Sequence, residues 1–275
     1  MNFDPQDVCR AIDDVAKQEI LPFFRHLDAD DIFNKGNRDV VTMVDLRAEK
    51  ALSTALRKIA PASAVIGEEA SEEDPNILNS LDDDRPFWIV DPLDGTKNFI
   101  AGRPVFAVIV AFCERGETQA GWIYDPCGEV MVHAHKGGGA WLGARPLGIS
   151  DNLSPSQSTA SLGPGMRKRL HAHTHARSGD RAPPPEIPER IVRYGCCGRE
   201  YIDLALGKIQ YAAYGGNLNV WDHAAGVLIH REAGGYSAIF PHEAPYRPQR
   251  YRHGEQLLLA PSPPSWASFR QKLMP

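Results

Sequence analysis

The sequence lacks an apolar run long enough to cross a membrane. Its longest one, Val105 to Cys113, is far shorter than the roughly 20 residues that a membrane-spanning helix needs. The first residues, Met1 to Pro5, do not show a basic region followed by an apolar one, which is the pattern of a secretory signal. Both absences favour a cytoplasmic protein with no membrane partner.

Dense clusters of Lys and Arg are absent as well. The formal net charge of the 275 residues is −5 at pH 7, and the basic run at 167–169 (RKR) is short. Domains that bind nucleic acids concentrate basic residues on one face. The sequence therefore predicts no nucleic-acid partner, and we interpret the basic run as solvated surface.

The five cysteines are an odd number and form no C-x-x-C pair. A disulfide framework or a zinc site would show paired spacings, so the pattern is typical of reduced thiols in the cytoplasm. The adjacent Cys196 and Cys197 could form a redox pair. Two small buried residues are the simpler interpretation.

Two carboxylates follow a short apolar run at 87–90, which predicts a buried strand. Pro92 cannot continue a central strand, and Asp94-Gly95 is a tight-turn signal. Asp91 and Asp94 are therefore expected just past a strand end, where open α/β folds place ligand sites. At roughly 4 Å, two such charges repel by about 4 kcal/mol, and carboxylate oxygens are ligands that Mg²⁺ prefers. A plain turn is the alternative, because Asp-Pro and Asp-Gly are common turn formers.

Periodicity and turn residues predict the other elements. An amphipathic helix is expected at about 5–25, and further helices from a Thr42–Asp45 capping box to about 59 and from Asp222 to about 233. Strands at 106–112, 119–124 and 129–135 are expected to form an antiparallel meander. The polar stretch 71–86 is predicted to be a solvated loop, and 151–189 a connection that contains one strand at 159–162.

Acidic residues also occur at other predicted element ends: Asp45 and Asp222 at helix starts, and Glu68 after a strand. Each has an ordinary structural explanation. Asp45 completes the capping box, Asp222 can cap its helix, and Glu68 can be a surface residue. Single positions do not decide between these explanations and a metal site.

The local sequences around these residues, taken together, favour a metal site over the ordinary structural explanations. They are 39–45 (DVVTMVD), 66–69 (IGEE), 88–96 (WIVDPLDGT), and 221–226 (WDHAAG) with 232–235 (EAGG). Through these motifs, in this order, the chain resembles the inositol monophosphatase family of metal-dependent sugar and polyol phosphatases. One such motif is a weak signal, whereas the four together are specific.

The resemblance implies a fold and a domain organisation. The expected fold is the family's layered αβαβα sandwich, of mixed α+β and α/β class. Residues 1–148 would form an N-terminal α+β domain with most of the metal ligands. Residues 149–275 would form a C-terminal α/β domain with Asp222 and the substrate pocket. A homodimer is implied because the family is usually dimeric.

The resemblance also implies roles for individual residues. Glu68, Asp91 and the backbone carbonyl of Leu93 resemble the ligands of a first Mg²⁺ ion. Asp91, Asp94 and Asp222 resemble those of a second, and Glu68 with waters would hold a weaker third ion; Mn²⁺ is a possible substitute. Asp222 also borders the expected substrate position.

The catalytic residues implied by the resemblance are Asp45 and Thr96, which would orient and deprotonate the attacking water. Gly95 and Thr96 are expected to begin a short helix. Their backbone N–H groups would then bind the phosphate. The implied reaction is the hydrolysis of a small phosphorylated alcohol such as inositol monophosphate. The implied partner is thus a small-molecule phosphate ester.

The substrate side departs from the family pattern. Members that hydrolyse inositol phosphates carry an acidic residue about seven positions before the Trp-Asp aspartate, whereas this chain has Tyr214-Gly215-Gly216. Gly195-Cys196-Cys197-Gly198 also differs from the usual Gly-Ser/Thr-x-Ala. Histidinol phosphate, fructose 1,6-bisphosphate and phosphoadenosine phosphate therefore stay open as substrates. A Mg²⁺- and phosphate-binding regulator with little catalysis is the non-enzymatic alternative.

Overall fold

The computed structural model describes residues 2–36, 39–178 and 187–273. Two larger sheets and a hairpin account for the strands. The hairpin pairs β1 (Ile32–Gly36) with β2 (Asp39–Thr42) in antiparallel fashion. Every helix in the described part of the chain is too short or too polar to span a bilayer.

The first sheet has seven strands in the order β3-β4-β5-β6-β7-β8-β9. Its strands are β3 (Ala64–Gly67), β4 (Phe87–Asp94), β5 (Ala107–Glu114), β6 (Glu117–Asp125), β7 (Val130–His135), β8 (Ala140–Leu142) and β9 (Arg145–Pro146). Strands β3 and β4 are parallel, and the other neighbours are antiparallel. The predicted meander of β5, β6 and β7 is confirmed.

The second sheet has five strands in the order β11-β10-β12-β14-β13. They are β10 (Thr159–Leu162), β11 (Arg190–Val192), β12 (Tyr211–Gly215), β13 (Tyr236–Phe240) and β14 (Gln256–Ala260). The chain passes from the first sheet to the second between β9 and β10. The exact domain division at residue 148 stays a prediction.

Eight α-helices within the described residues complete the layers. They are α1 (Pro5–Val15), α2 (Met43–Ile59), α3 (Glu68–Glu73), α4 (Thr96–Ile100), α5 (Pro164–Ser178), α6 (Cys197–Ala205), α7 (Val220–Glu232) and α8 (Pro263–Leu273). A π-helical turn, Ala16–Ile20, continues α1, in agreement with the long helix predicted there.

Burial along β5 explains the layering. Alternate residues point to opposite faces of a strand, and all residues from Ala107 to Cys113 are buried. Val108 and Val110 pack in the core with α1 and α2, whereas Ile109 and Ala111 pack in the core with α6 and α7. Helices α5 and α8 cover the far face of the second sheet. The predicted αβαβα sandwich is confirmed.

Helix α7 approaches the first sheet closely because Gly121 in β6 has no side chain. A Cβ atom at this position would lie 2.8 Å from the Cα atom of Ala225, which is closer than real Cβ contacts come. This contact places the first turn of α7, which contains Asp222, beside the first sheet.

Two predictions of irregular structure are wrong. Most of 71–86 is helical, in α3 and a 3₁₀ segment, Pro75–Asp82, whose Leu81 is buried. Residues 164–178 form α5 within the stretch predicted to be a connection. Met166 and Leu170 of α5, four positions apart, are buried in the core, but polar and glycine residues around them hide this spacing.

Candidate metal centre

The carboxyl end of β4 is irregular where the two aspartates lie. The pairing of β4 with β5 shifts between Asp91 and Asp94, as expected where Pro92 cannot donate to the ladder. The carboxylate of Asp91 accepts a hydrogen bond of 3.0 Å from the backbone N–H of Leu93. Gly95 follows with a φ of 97°, a left-handed conformation that favours glycine.

Glu68 is brought to Asp91 by the parallel pairing of β3 with β4. Gly67, the last residue of β3, pairs with Val90, so Glu68 follows at the same edge as Asp91. A buried carboxylate on α2, Glu49, holds the start of α3 in place. It accepts hydrogen bonds of 2.8 and 2.9 Å from the N–H groups of Glu69 and Ala70.

The role of Glu49 was missed by the sequence reasoning. Glu49 lies three positions before Leu52 and seven before Leu56, two residues of the buried face of α2. A carboxylate on an apolar helix face is a signal of a fixed partner. Its partner N–H groups lie 20 and 21 positions away, which the sequence alone does not reveal.

We expect Glu49→Ala to destabilise the protein and the metal centre together. Two N–H groups at the start of α3 would lose their acceptor, at a cost of about 2 kcal/mol, which lowers the melting temperature by roughly 4 to 8 °C. Glu68, the first residue of α3, would lose its fixed position, so the apparent affinity for Mg²⁺ should fall.

Calorimetry and Mg²⁺ titration measure both effects, with Glu73→Ala as the control because Glu73 is an exposed residue of the same helix. A variant as stable as the control would contradict this role of Glu49.

Asp45 is both a helix-capping residue and a neighbour of Thr96. Its carboxylate completes the predicted capping box, since Thr42 donates to it through its N–H, at 2.8 Å, and through its hydroxyl. The hydroxyl of Thr96 lies 2.9 Å from the other oxygen of Asp45 and 3.1 Å from the carbonyl oxygen of Leu93. Burial raises the pKa of Asp45, and the hydrogen bonds from Thr42 and Thr96 oppose that rise.

Asp222, in the first turn of α7, lies close to Asp94 at the end of β4. Asn219 donates to the Asp222 carboxylate at 3.3 Å, and Asp94 accepts from the N–H of Gly198 in the first turn of α6. The sulfur of Cys197 and one carboxylate oxygen each of Asp94 and Asp222 lie within 4.8 Å of one another. Cys197 is not among the residues predicted for the site; its only signal in the sequence is the departure from the family motif at Gly195-Cys196-Cys197-Gly198.

One cavity of about 190 Å³ collects nearly all of the predicted site residues. Its lining is Glu68, Asp91, Leu93, Asp94, Gly95, Thr96, Lys97, Gly195, Asn219 and Asp222. Asp45 is not in the lining, but it is hydrogen-bonded to Thr96, which is. Side chains that are up to 154 positions apart, from Glu68 to Asp222, thus border a single space.

The electrostatics of this cavity fit a bound cation. Burial, and then the charges of Glu68, Asp94 and Asp222, raise the pKa of Asp91 well above its usual range. Such crowding of carboxylates is unfavourable unless a cation neutralises it. The carboxylates that line the cavity offer oxygen donors, which suit hard divalent ions such as Mg²⁺ or Mn²⁺. The assignment of each residue to a particular ion stays a prediction.

The sequence profile of the inositol monophosphatase family matches residues 7–258. The chain belongs to the inositol monophosphatase family. The predicted family and the predicted enzyme class, a phosphoric monoester hydrolase, are therefore confirmed. Family members are generally metal-dependent, in agreement with the carboxylate cavity.

The relatives of this chain include an inositol-1-monophosphatase and a Nus factor. The chain is 34% identical over 215 residues to an inositol-1-monophosphatase of Caulobacter vibrioides, covering 74% of this chain and 77% of the relative. It is 32% identical over 220 residues to the Nus factor SuhB of Escherichia coli, covering 78% and 76%. The crystal structure of the extragenic suppressor protein suhB from Bartonella henselae superposes with a TM-score of 0.77 and 25% identity, covering 98% and 97% of the two chains.

Proposed function

We propose that this family member is a Mg²⁺-dependent phosphomonoesterase that releases inorganic phosphate from a small phosphorylated alcohol. The observation that carries the proposal is the convergence of Glu68, Asp91, Asp94 and Asp222 on one cavity, with the Thr96–Asp45 pair at its edge. The ions would be held by these carboxylates and by the carbonyl of Leu93, and Mn²⁺ would be able to replace Mg²⁺.

When bound, the ions supply charge stabilisation for the attacking and leaving oxygens of an in-line displacement. Residues of the chain transfer the proton of the attacking water. The Thr96 hydroxyl accepts a proton from the attacking water and passes its own to Asp45, 2.9 Å away. Burial keeps the pKa of Asp45 raised, which makes it a better base than a solvated carboxylate.

Phosphate binding would use the start of α4. The first N–H groups of a helix have no partner within it, and they attract anions. Gly95 matters here because a Cβ atom would lie 2.9 Å from the carbonyl oxygen of Val105. We assign Gly95 and Thr96 to the phosphate, and Asp222, which lines the same cavity, to the border of the substrate position.

A phosphate-release assay tests the proposed function. The panel holds inositol monophosphate, histidinol phosphate, fructose 1,6-bisphosphate and phosphoadenosine phosphate, each with Mg²⁺, with Mn²⁺ and with a chelator. Metal-dependent release from at least one ester is the expected result. No release from any ester under any condition would remove the proposal.

A regulator that binds Mg²⁺ and phosphate is the second candidate, favoured by relatives that carry the name Nus factor SuhB. Against it stands the hydrogen-bonded Thr96–Asp45 pair, because binding alone does not require a group that takes a proton from water. The same assay separates the two, since a regulator would bind phosphate without turnover. The homodimer and the cytoplasmic location stay predictions of the sequence analysis.

Cys197 should make the centre sensitive to thiophilic ions. A thiol beside two carboxylates offers a soft donor, which Zn²⁺ and Cd²⁺ prefer over Mg²⁺. We expect Cys197→Ala to weaken Cd²⁺ binding about tenfold or more, as measured by calorimetry and by loss of the sulfur-to-cadmium absorption band. The control is Cys127→Ala, an exposed thiol elsewhere on the chain; equal Cd²⁺ binding by the two variants would contradict a contact with Cys197.

A further inference from the structure

A second, larger cavity of about 490 Å³ adjoins the metal centre. Asp94, Gly195 and Asp222 border both cavities, so the two spaces meet at the carboxylates. A phosphate bound at the metal centre would therefore direct the rest of its ester into the larger cavity. The walls of that cavity decide which alcohol fits.

The wall at Gly215 differs from that of relatives that bind a polyol. Gly215 lies seven positions before Asp222, where the family resemblance places a carboxylate that holds sugar hydroxyls. A Cβ atom at Gly215 would lie 3.2 Å from Met166 and 3.4 Å from Gln256. The side chains of α5 and β14 thus occupy the space beside this glycine.

Arg169 reaches the same wall from α5, three positions after Met166. Its guanidinium donates a hydrogen bond of 3.3 Å to the side-chain oxygen of Gln256, and both residues line the cavity. A negative charge that would accept hydroxyl hydrogen bonds is absent from position 215, and a positive charge stands nearby.

A second guanidinium, that of Arg193, lines the cavity as well. Arg193 precedes Gly195 by two positions, so its Cα atom lies within about 7 Å of that edge of the metal cavity. Gly163 leaves room for it, since a Cβ atom there would lie 2.5 Å from the Nη1 atom of Arg193. The two arginines approach the cavity from different elements.

The carboxylates of this cavity are engaged elsewhere. Asp94 and Asp222 belong to the metal end, and the buried Glu200 accepts a hydrogen bond from the N–H of Tyr194 at 3.0 Å. Among the residues that the structure describes, neither Arg169 nor Arg193 lies within ion-pair distance of a carboxylate. Their charge is therefore available to a ligand.

We propose that Arg169 and Arg193 form a binding site for a second anionic group, a phosphate or carboxylate carried by the alcohol that is released. Guanidinium groups bind both anions through paired, charge-assisted hydrogen bonds. This inference rests on the proposed function for the cleaved phosphate, and it names the substrate class: a sugar bisphosphate or a phosphorylated hydroxy acid rather than a neutral polyol phosphate.

The first test compares a sugar bisphosphate with the matching monophosphate that lacks the second anion. The wild-type protein should have the higher kcat/KM for the bisphosphate. In Arg169→Gln and Arg193→Gln, the ratio of the two kcat/KM values should fall roughly 10- to 100-fold, mainly through KM for the bisphosphate. Arg167→Gln is the control, since Arg167 lies on the same helix but does not line the cavity, and this variant should keep the wild-type ratio.

The second test needs no turnover. Calorimetry measures binding of the product, the sugar phosphate that keeps only the second anion, to the wild-type protein and to the three variants. Weaker binding to Arg169→Gln and Arg193→Gln than to Arg167→Gln supports the anion site even if no ester is cleaved. Equal binding by all of them, or a ratio of kcat/KM values that the substitutions leave unchanged, overturns it while the phosphatase proposal stands.

Discussion

Asp91→Asn should remove phosphate release, lowering kcat/KM by about 1,000-fold or more. The proposed ions contribute several kcal/mol of charge stabilisation, and each 1.36 kcal/mol corresponds to about tenfold in rate. Asp91 is the only residue predicted to contact both principal ions, and it is 1% exposed at the end of β4. An amide in its place keeps the shape of the side chain but not its charge.

The same substitution should stabilise the metal-free protein. Burial first, and then the charges of Glu68, Asp94 and Asp222, oppose ionisation of Asp91 in the folded state, so a neutral side chain relieves both the cost of burying a charge and the repulsion. In the presence of a chelator, the melting temperature should rise by about 2 to 4 °C for each kcal/mol of unfavourable free energy that the substitution removes. The increase in melting temperature on adding Mg²⁺ should be smaller than in the wild-type protein.

The control for both effects is Asp84→Asn, at an exposed position before β4. Near-normal turnover by Asp91→Asn would contradict the metal assignment. A lower melting temperature in the chelator would contradict the account of its charge.

Thr96→Ala should lower kcat by about 100- to 10,000-fold, the range of a positioned proton-transfer group. The hydroxyl of Thr96 connects the cavity to Asp45, and alanine leaves Asp45 with no group to relay a proton from water. The affinity for Mg²⁺ should stay close to that of the wild-type protein, because the resemblance assigns no ligand atom to the Thr96 side chain.

Thr96→Ser separates the hydroxyl from the methyl group. Serine keeps an oxygen that reaches Asp45, so this variant should recover most of the activity that alanine loses. Rates from single turnovers and Mg²⁺ titration by calorimetry measure the two properties independently. Equal losses in the serine and alanine variants, or a large loss of Mg²⁺ affinity in either, would contradict the proton-relay role.

The residues that local signals could identify are those whose neighbours lie close in sequence. The Thr42–Asp45 capping box spans three positions, and the strand that ends at Asp91 is readable from its apolar run and Pro92. Asp222 needed the family motif, because only packing brings it to β4. The motifs around these residues indicate the family only when they are taken together.

The residues that sequence reasoning missed depend on distant contacts. Arg169 is exposed, as predicted for the basic run, but its guanidinium also bonds to Gln256, 87 positions away, and the sequence alone does not reveal that contact. Helix α5 was missed because two buried residues, Met166 and Leu170, stand among polar ones. A single sequence does not show the tertiary contacts through which such residues take part in the core or in a site.

The tight contact between Gly121 and Ala225 fixes the distance between helix α7 and the first sheet. Ala225 lies one helical turn beyond Asp222, and the helix is clamped between two sheets. A methyl group added at Gly121, which touches no ligand, would push the helix outward and widen the gap between Asp222 and the aspartates of β4. The width of the ion-binding cleft thus depends on a buried position away from the cleft, where glycine leaves room for the helix.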